Sequence, residues 1–151
     1  MNIRIFEVPD IRLPFSFSDS KQIYHRLREY AKADREMFIL LFLDAKNQVI
    51  DVEFHSIGDV NTNHIYMRQV FRSALLNNAL SMICVHNHPG GSPSPSPNDK
   101  ALTRRLVRCG ELLDIDVMDH IIISKDGYYS FEDKGLIMQY KLENRTNFFD
   151  K

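Results

Sequence analysis

Residues 81–113 constrain the fold more than any other stretch. Ser81-Met-Ile-Cys-Val85 is an apolar run of strand length, HNHPGGSPSPSPND fills 86–99, and Leu102, Leu106, Cys109 and Leu113 recur at helical spacing. These patterns specify a strand, a loop and an amphipathic helix in that order. Side chains at i and i+2 of a strand share a face, so His86 and His88 are expected to converge on one point beside the sheet. The loop can fold back and present Asp99 to that point from the first helical turn. Two imidazoles and one carboxylate are three zinc ligands with the fourth position open, whereas a closed structural site would take four protein ligands.

Each part also has a plainer reading. Serine is a preferred N-cap, proline suits the first helical position and an acid suits the N-terminal dipole, so Ser96-Pro97-Asn98-Asp99 is a good helix start by itself. An H-x-H pair can be two unrelated histidines. What sets this stretch apart is that His86, His88, Ser96 and Asp99 all fall in one strand–loop–helix unit.

The rest of the chain reads as α/β. Residues 1–9 alternate Ile3, Ile5 and Val8 as an edge strand would, and Pro14 with FSFSDS reads as a connection. Ser18 or Asp19 can cap a helix carrying Ile23, Leu27 and Tyr30 and ending near Asp34. MFILLFLD at 37–44 is typical of a strand buried on both faces, and VIDVEFHSI at 49–57 returns beside it as a hairpin. A helix is expected from about His64 to Asn78, strands at 82–86, 115–123 and 128–131, and a helix from Pro97 to Leu113 with Gly110 inside it or ending it early. Residues 136–151 read as a C-terminal extension, a docking helix or a frayed tail, on a single domain spanning 1–151. A central mixed sheet flanked by helices accommodates these elements.

Charge and cysteines narrow the partners. The formal net charge is −1, which gives no global pull toward nucleic acid or anionic membrane. No run reaches transmembrane length and MNIRIFEVPDIRLP lacks the apolar core of a signal peptide, so cytoplasmic residence away from membranes is the expectation. Cys84 and Cys109 read as small buried hydrophobes in a reducing compartment. Without a C-x-x-C, a deaminase-type zinc site is disfavoured.

A zinc-bound water needs a proton acceptor, and spacing alone does not choose among Glu29, Glu36 and Glu53. Among other candidates, His120 reads as a core histidine near the site, His25 and His64 as surface or capping residues, and His55 as able to reach the cleft without anything demanding it. Lys100, Arg104 and Arg108 form a stripe that reads as a solvated helix face.

The pattern H-x-H-P, six residues, then S-x-x-D is met position by position and resembles the signature of the JAMM (MPN+) zinc metalloproteases. With FLDAKNQVI at 42–50, FRSALLNNA at 71–79, VHNHPGG at 85–91 and DVMDHIIIS at 116–124, the chain resembles the bacterial RadC subgroup from about residue 20 to 135. Gly90 stands where that family usually has serine, and Asn98 where it often has an acid; neither is a ligand position. The resemblance implies the JAMM fold, related to that of cytidine deaminase, and a Zn2+ held by His86, His88 and Asp99. It also implies Glu36, just before the long apolar run, as the catalytic carboxylate, and Ser96 as a donor to the developing oxyanion. Two function classes follow. One is a zinc-dependent peptidase or isopeptidase acting on an amide in a peptide or isopeptide. The other is a non-proteolytic module that binds partners in DNA repair or processing. Full-length RadC-type chains carry a helix-hairpin-helix region upstream, whereas this sequence opens close to the JAMM-like part. The oligomeric state is not legible from the sequence.

Overall fold

The computed structural model describes residues 11–58 and 64–149. In chain order the elements are β1 (Phe15–Ser16), α1 (Ser20–Leu27), a 3-10 helix (Arg28–Lys32), β2 (Glu36–Leu43), β3 (Gln48–Gly58), α2 (Met67–Leu76), β4 (Ser81–Asn87), α3 (Pro97–Leu113), β5 (Asp116–Ser124), β6 (Gly127–Ser130) and α4 (Leu136–Phe149). The strands form one six-stranded mixed sheet in the order β1-β3-β2-β4-β5-β6. Only β4 and β5 run parallel. A parallel pair needs a crossover, and α3 is that crossover.

Strand β2 lies near the middle of the sheet, and every residue after Glu36 is buried. Phe38, Leu40 and Phe42 face a layer built by α2, α3 and α4, where Val70, Phe71, Leu102, Leu106, Ile137 and Tyr140 pack. Met37, Ile39, Leu41 and Leu43 face the opposite layer, where Ile23 and Leu27 of α1 and Tyr30 of the 3-10 helix pack. A strand covered on both sides carries no polar alternation. The fold is α/β.

Local chemistry sets the element ends. Asp19 is the N-cap of α1, accepting from the Gln22 amide at 2.8 Å. Asp44 accepts from the Lys46 and Gln48 amides and closes the β2–β3 hairpin, with Asn47 left-handed at φ 57°. Gly110 lies inside α3, not at its end, and its lack of a side chain is required there, because a Cβ would drive into the Ile115 carbonyl oxygen and stand 3.1 Å from Val117 Cγ2. The helix stops at Asp114, which takes the left-handed cap.

Two expectations are revised, and one pair of alternatives is decided. The connection expected at 14–20 holds β1, a two-residue strand paired through Phe15 and Val49. The helix expected from His64 starts at Met67, because Ile65 is spent on the core and Tyr66 is extended. Of the two readings of the last stretch, the docking helix is the one observed, laid on α3: Tyr140 is buried under the Arg104 guanidinium, Arg104 pairs with Glu143 and Lys141 with Asp116. Arg104 thus spends its charge on α4, while Lys100 and Arg108 are exposed. The strand expected at 1–9 lies outside the described residues. Cys84 and Cys109 are free thiols, the first buried and the second partly so. Among the described residues no helix is long and apolar enough to cross a membrane.

Candidate metal centre

The site forms where β4 ends, β2 begins and α3 begins. His86 pairs with Phe38 of β2 and Ile122 of β5, deep inside the sheet. His88 lies one residue beyond β4, but its amide still donates to the Ile123 carbonyl at 2.8 Å, which extends the ladder to it. Asp99 occupies the third position of α3. Its amide donates to Ser96 Oγ at 3.0 Å, and its Oδ2 accepts from the Ser96 amide at 2.9 Å. This reciprocal capping box fixes the first helical turn. One ligating atom each from His86, His88 and Asp99 lie within 4.8 Å of one another.

The separations suit atoms gathered around a cation as well as long hydrogen bonds. His88 Nε2 is 3.3 Å from Asp99 Oδ2, and His86 Nδ1 is 3.5 Å from Asp99 Oδ1. Ligands about 2.0–2.2 Å from a tetrahedral centre stand roughly 3.3–3.6 Å apart. Proton placement agrees. His88 Nδ1 faces the Ser92 carbonyl at 3.1 Å, and a carbonyl only accepts, so Nδ1 carries the proton. A neutral ring then points its Nε2 lone pair at the Asp99 carboxylate, and that contact needs a proton or a metal between them. His86 meets carboxylates on both sides, Asp99 at Nδ1 and Glu36 at Nε2 (3.7 Å), and neither buried nitrogen has a hydrogen-bond partner. A neutral imidazole has one N–H and cannot satisfy both. No lysine or arginine pairs with either carboxylate among the described residues. The donor set fits a divalent cation.

The site's electrostatics follow from burial and partners. Burial pushes the Asp99 carboxyl up, but the contacts from His86 and His88 and the Ser96 amide outweigh it and hold Asp99 well below the usual carboxylate range. The hydrogen bond to Asp99 raises His88 above its ordinary value, against the lowering effect of burial.

Glu36 is the first residue of β2 and is one-third exposed, with Oε2 turned toward His86. The other two acids lie elsewhere. Glu29 pairs with Lys32 on the surface, and Glu53 accepts from Ser73 Oγ at 2.9 Å and contacts His55 Nδ1 at 3.2 Å. His55 is edge-on to Phe38, which is also edge-on to His86, so it stands one ring away from the site. His25 and His64 are exposed. Ser96 is exposed and its oxygen is engaged in the cap, which leaves its proton free to be donated.

Asn87 belongs to no motif of the sequence, yet it positions the candidate site. It points to the opposite face from its histidine neighbours and is fully buried. Its Oδ1 accepts from the Met37 amide, and its Nδ2 donates to the carbonyls of Tyr30 (3.0 Å) and Arg35 (2.8 Å). Carbonyls on one side and an amide on the other fix its orientation. Asn87 therefore grips the backbone on both sides of Glu36. Strand alternation alone could have flagged it, because a polar residue aimed into an apolar layer needs partners there.

Residues 17–136 match the RadC-like JAB domain family. The chain belongs to that family. Among curated relatives of this RadC-like JAB domain, a UPF0758 protein of Methanosarcina acetivorans is 49% identical over 115 residues, covering 76% of this chain and 49% of the relative. A UPF0758 protein of Desulforamulus reducens is 49% identical over 104 residues, covering 69% and 46%. One of Bacillus cereus is 43% identical over 113 residues, covering 75% and 50%. The chain spans about half the length of the curated relatives it matches. The RadC-like match ends where α4 begins, and it contains all the site residues.

Proposed function

We propose that this RadC-like JAB domain is a zinc-dependent hydrolase that cleaves an amide bond in a peptide or isopeptide. The observation that carries the reading is a fourth group beside the three candidate ligands: the Glu36 carboxylate, outside the ligand set, one-third exposed and turned toward His86. Two imidazoles and a carboxylate suit zinc, and zinc bound there would lower the pKa of a bound water to about 7 and polarise a substrate carbonyl. Glu36 Oε2 takes the proton from the attacking water and returns it to the leaving amide nitrogen. The Ser96 hydroxyl donates to the carbonyl oxygen as negative charge develops there, while its oxygen keeps the Asp99 amide. Glu36 is one-third exposed, and a net charge of −1 gives no support to a nucleic-acid substrate.

The test pairs elemental analysis with digestion of an unbiased peptide library and of isopeptide-linked substrates. Wild type is expected to carry one zinc per chain and to cleave. Glu36→Gln is expected to keep zinc and fold and to lose about 10²–10⁴-fold in turnover. Equal cleavage by Glu36→Gln and wild type would remove Glu36 from the chemistry. Stoichiometric zinc without cleavage of either substrate class would favour the partner-binding module over the hydrolase.

A further inference from the structure

His120 sits in β5, fully buried, in a row of rings between His86 and Phe131. Its ring centroid is 6.3 Å from that of His86 and 5.0 Å from that of Phe131. Its Nδ1 is 2.7 Å from Thr103 Oγ1, and Thr103 Oγ1 is 2.7 Å from the Asp99 carbonyl oxygen. These contacts fix the protons. A hydroxyl has one proton, and the Asp99 carbonyl can only accept, so the Thr103 proton goes to Asp99. The Thr103 oxygen must then accept from His120, which carries its proton on Nδ1. Burial holds His120 down to about 3, so this neutral donor is retained across the working pH range. Its Nε2 is buried without a hydrogen-bond partner among the described residues, which is costly. An apolar ring would avoid that cost, so what the histidine adds over phenylalanine is the Nδ1 proton.

The capping box fixes Asp99 relative to Ser96, within its own helix. It does not fix that helix against the sheet. The His120–Thr103 link does, because β5 pairs directly with β4: His120 stands opposite Cys84, and Ile122 opposite His86. We propose that His120 is a positioning residue for the metal centre, tying the Asp99 turn of α3 to the sheet through Thr103 and so setting where the Asp99 carboxylate stands against His86 and His88. The proposal rests on the reading of those three residues as metal ligands. Residues that orient ligands from the outer shell typically contribute about 10–100-fold in metal affinity.

The test is zinc affinity, measured by competition with a chromophoric chelator, with fold monitored by melting of the metal-free protein. Thr103→Val keeps shape and removes the hydroxyl; it is expected to weaken zinc about 10–100-fold, whereas Thr103→Ser binds like wild type. His120→Phe should lose as much, His120→Asn, which keeps a donor near Nδ1, should lose less, and the Thr103→Val/His120→Phe double variant should be no worse than either single one. In the metal-free protein, imidazole nitrogen shifts should report His120 protonated at Nδ1 and untitrated. Thr103→Val binding zinc as tightly as Thr103→Ser, or losses that add, overturns the proposal while leaving the metal site intact. If Thr103→Val fails to fold, His120→Phe against His120→Asn decides on the same terms. A wild type no better than His86→Ala at taking up zinc overturns the metal reading, and the proposal with it.

Discussion

Asp99 and Asp119 are buried to the same extent, each 2% exposed, and their carboxyls move in opposite directions. Asp99 faces two imidazoles and is held ionised. Asp119, on β5, accepts from Ser130 Oγ at 2.6 Å and the Glu132 amide at 2.9 Å, but among the described residues no cationic side chain pairs with it, and Asp133 is nearby. Burial dominates there and pushes its carboxyl up to about 7. Burial favours the neutral form at Asp119, whereas the two imidazoles favour the ionised form at Asp99, the form a cation would need. Burial of an acid is therefore no mark of a site, and the groups turned toward the acid are.

The sharpest way to break this comparison is to neutralise each carboxylate in turn. Asp99→Asn is expected to weaken zinc by more than about 100-fold, beyond the usual outer-shell range, and Asp119→Asn to leave it unchanged. The His86→Ala/His88→Ala double variant should carry no stoichiometric zinc. Chelator competition measures all three, and equal losses at the two aspartates would erase the distinction.

Stability against pH gives the next contrast. A raised Asp119 pKa means that the folded state binds more protons than the unfolded state between pH 4 and 7, so stability falls as pH rises through that window. The full effect, on the order of a few kcal/mol, is reached above pH 7 and absent below pH 4. Melting curves of metal-free Asp119→Asn should therefore show a shallower decline from pH 4 to 7 than wild type. An unchanged slope would mean that Asp119 is ionised throughout.

Zinc binding should carry the opposite dependence. His88 is raised above its ordinary 6.5, and a metal must displace its proton. Affinity is expected to fall by about tenfold per pH unit once pH drops below the His88 value, as read by zinc titrations from pH 8 to 6. A flat profile would remove His88 from the ligand set. The smallest effect is at the cap. Ser96→Ala should cost about 1 kcal/mol of stability and keep zinc, because the ligating carboxylate remains; loss of zinc in that variant, with retention in Asp99→Asn, would reverse the two roles.

The local parts of the site were legible in the sequence. His86, His88 and Asp99 share one strand–loop–helix unit, so periodicity alone places them together. Glu36 arrives from another strand, 3.7 Å from His86, and no spacing rule reaches across a sheet; only the family resemblance distinguished it from Glu29 and Glu53. Asn87 escaped notice because its partners are backbone groups at Tyr30, Arg35 and Met37, which a side-chain motif does not display. In the fold, β2 was plain because it is apolar on both faces. β1 was not, because two residues in a polar stretch carry no period. The start of α2 was misplaced because Ile65 packs into the core before the helix begins, and apolar spacing does not distinguish the two.

The register of β2 against β4 has a consequence for the order of events in folding. The three candidate metal ligands come from residues 86–99, whereas Glu36 reaches them only after β2 has paired with β4 and Asn87 has closed on the backbone at Arg35 and Met37. Short-range loops close sooner than long ones. If residues 86–99 hold the metal and Glu36 serves the chemistry as proposed, metal capture and chemical competence are separable in time, and a chain with slipped β2–β4 pairing would be loaded with metal and inert.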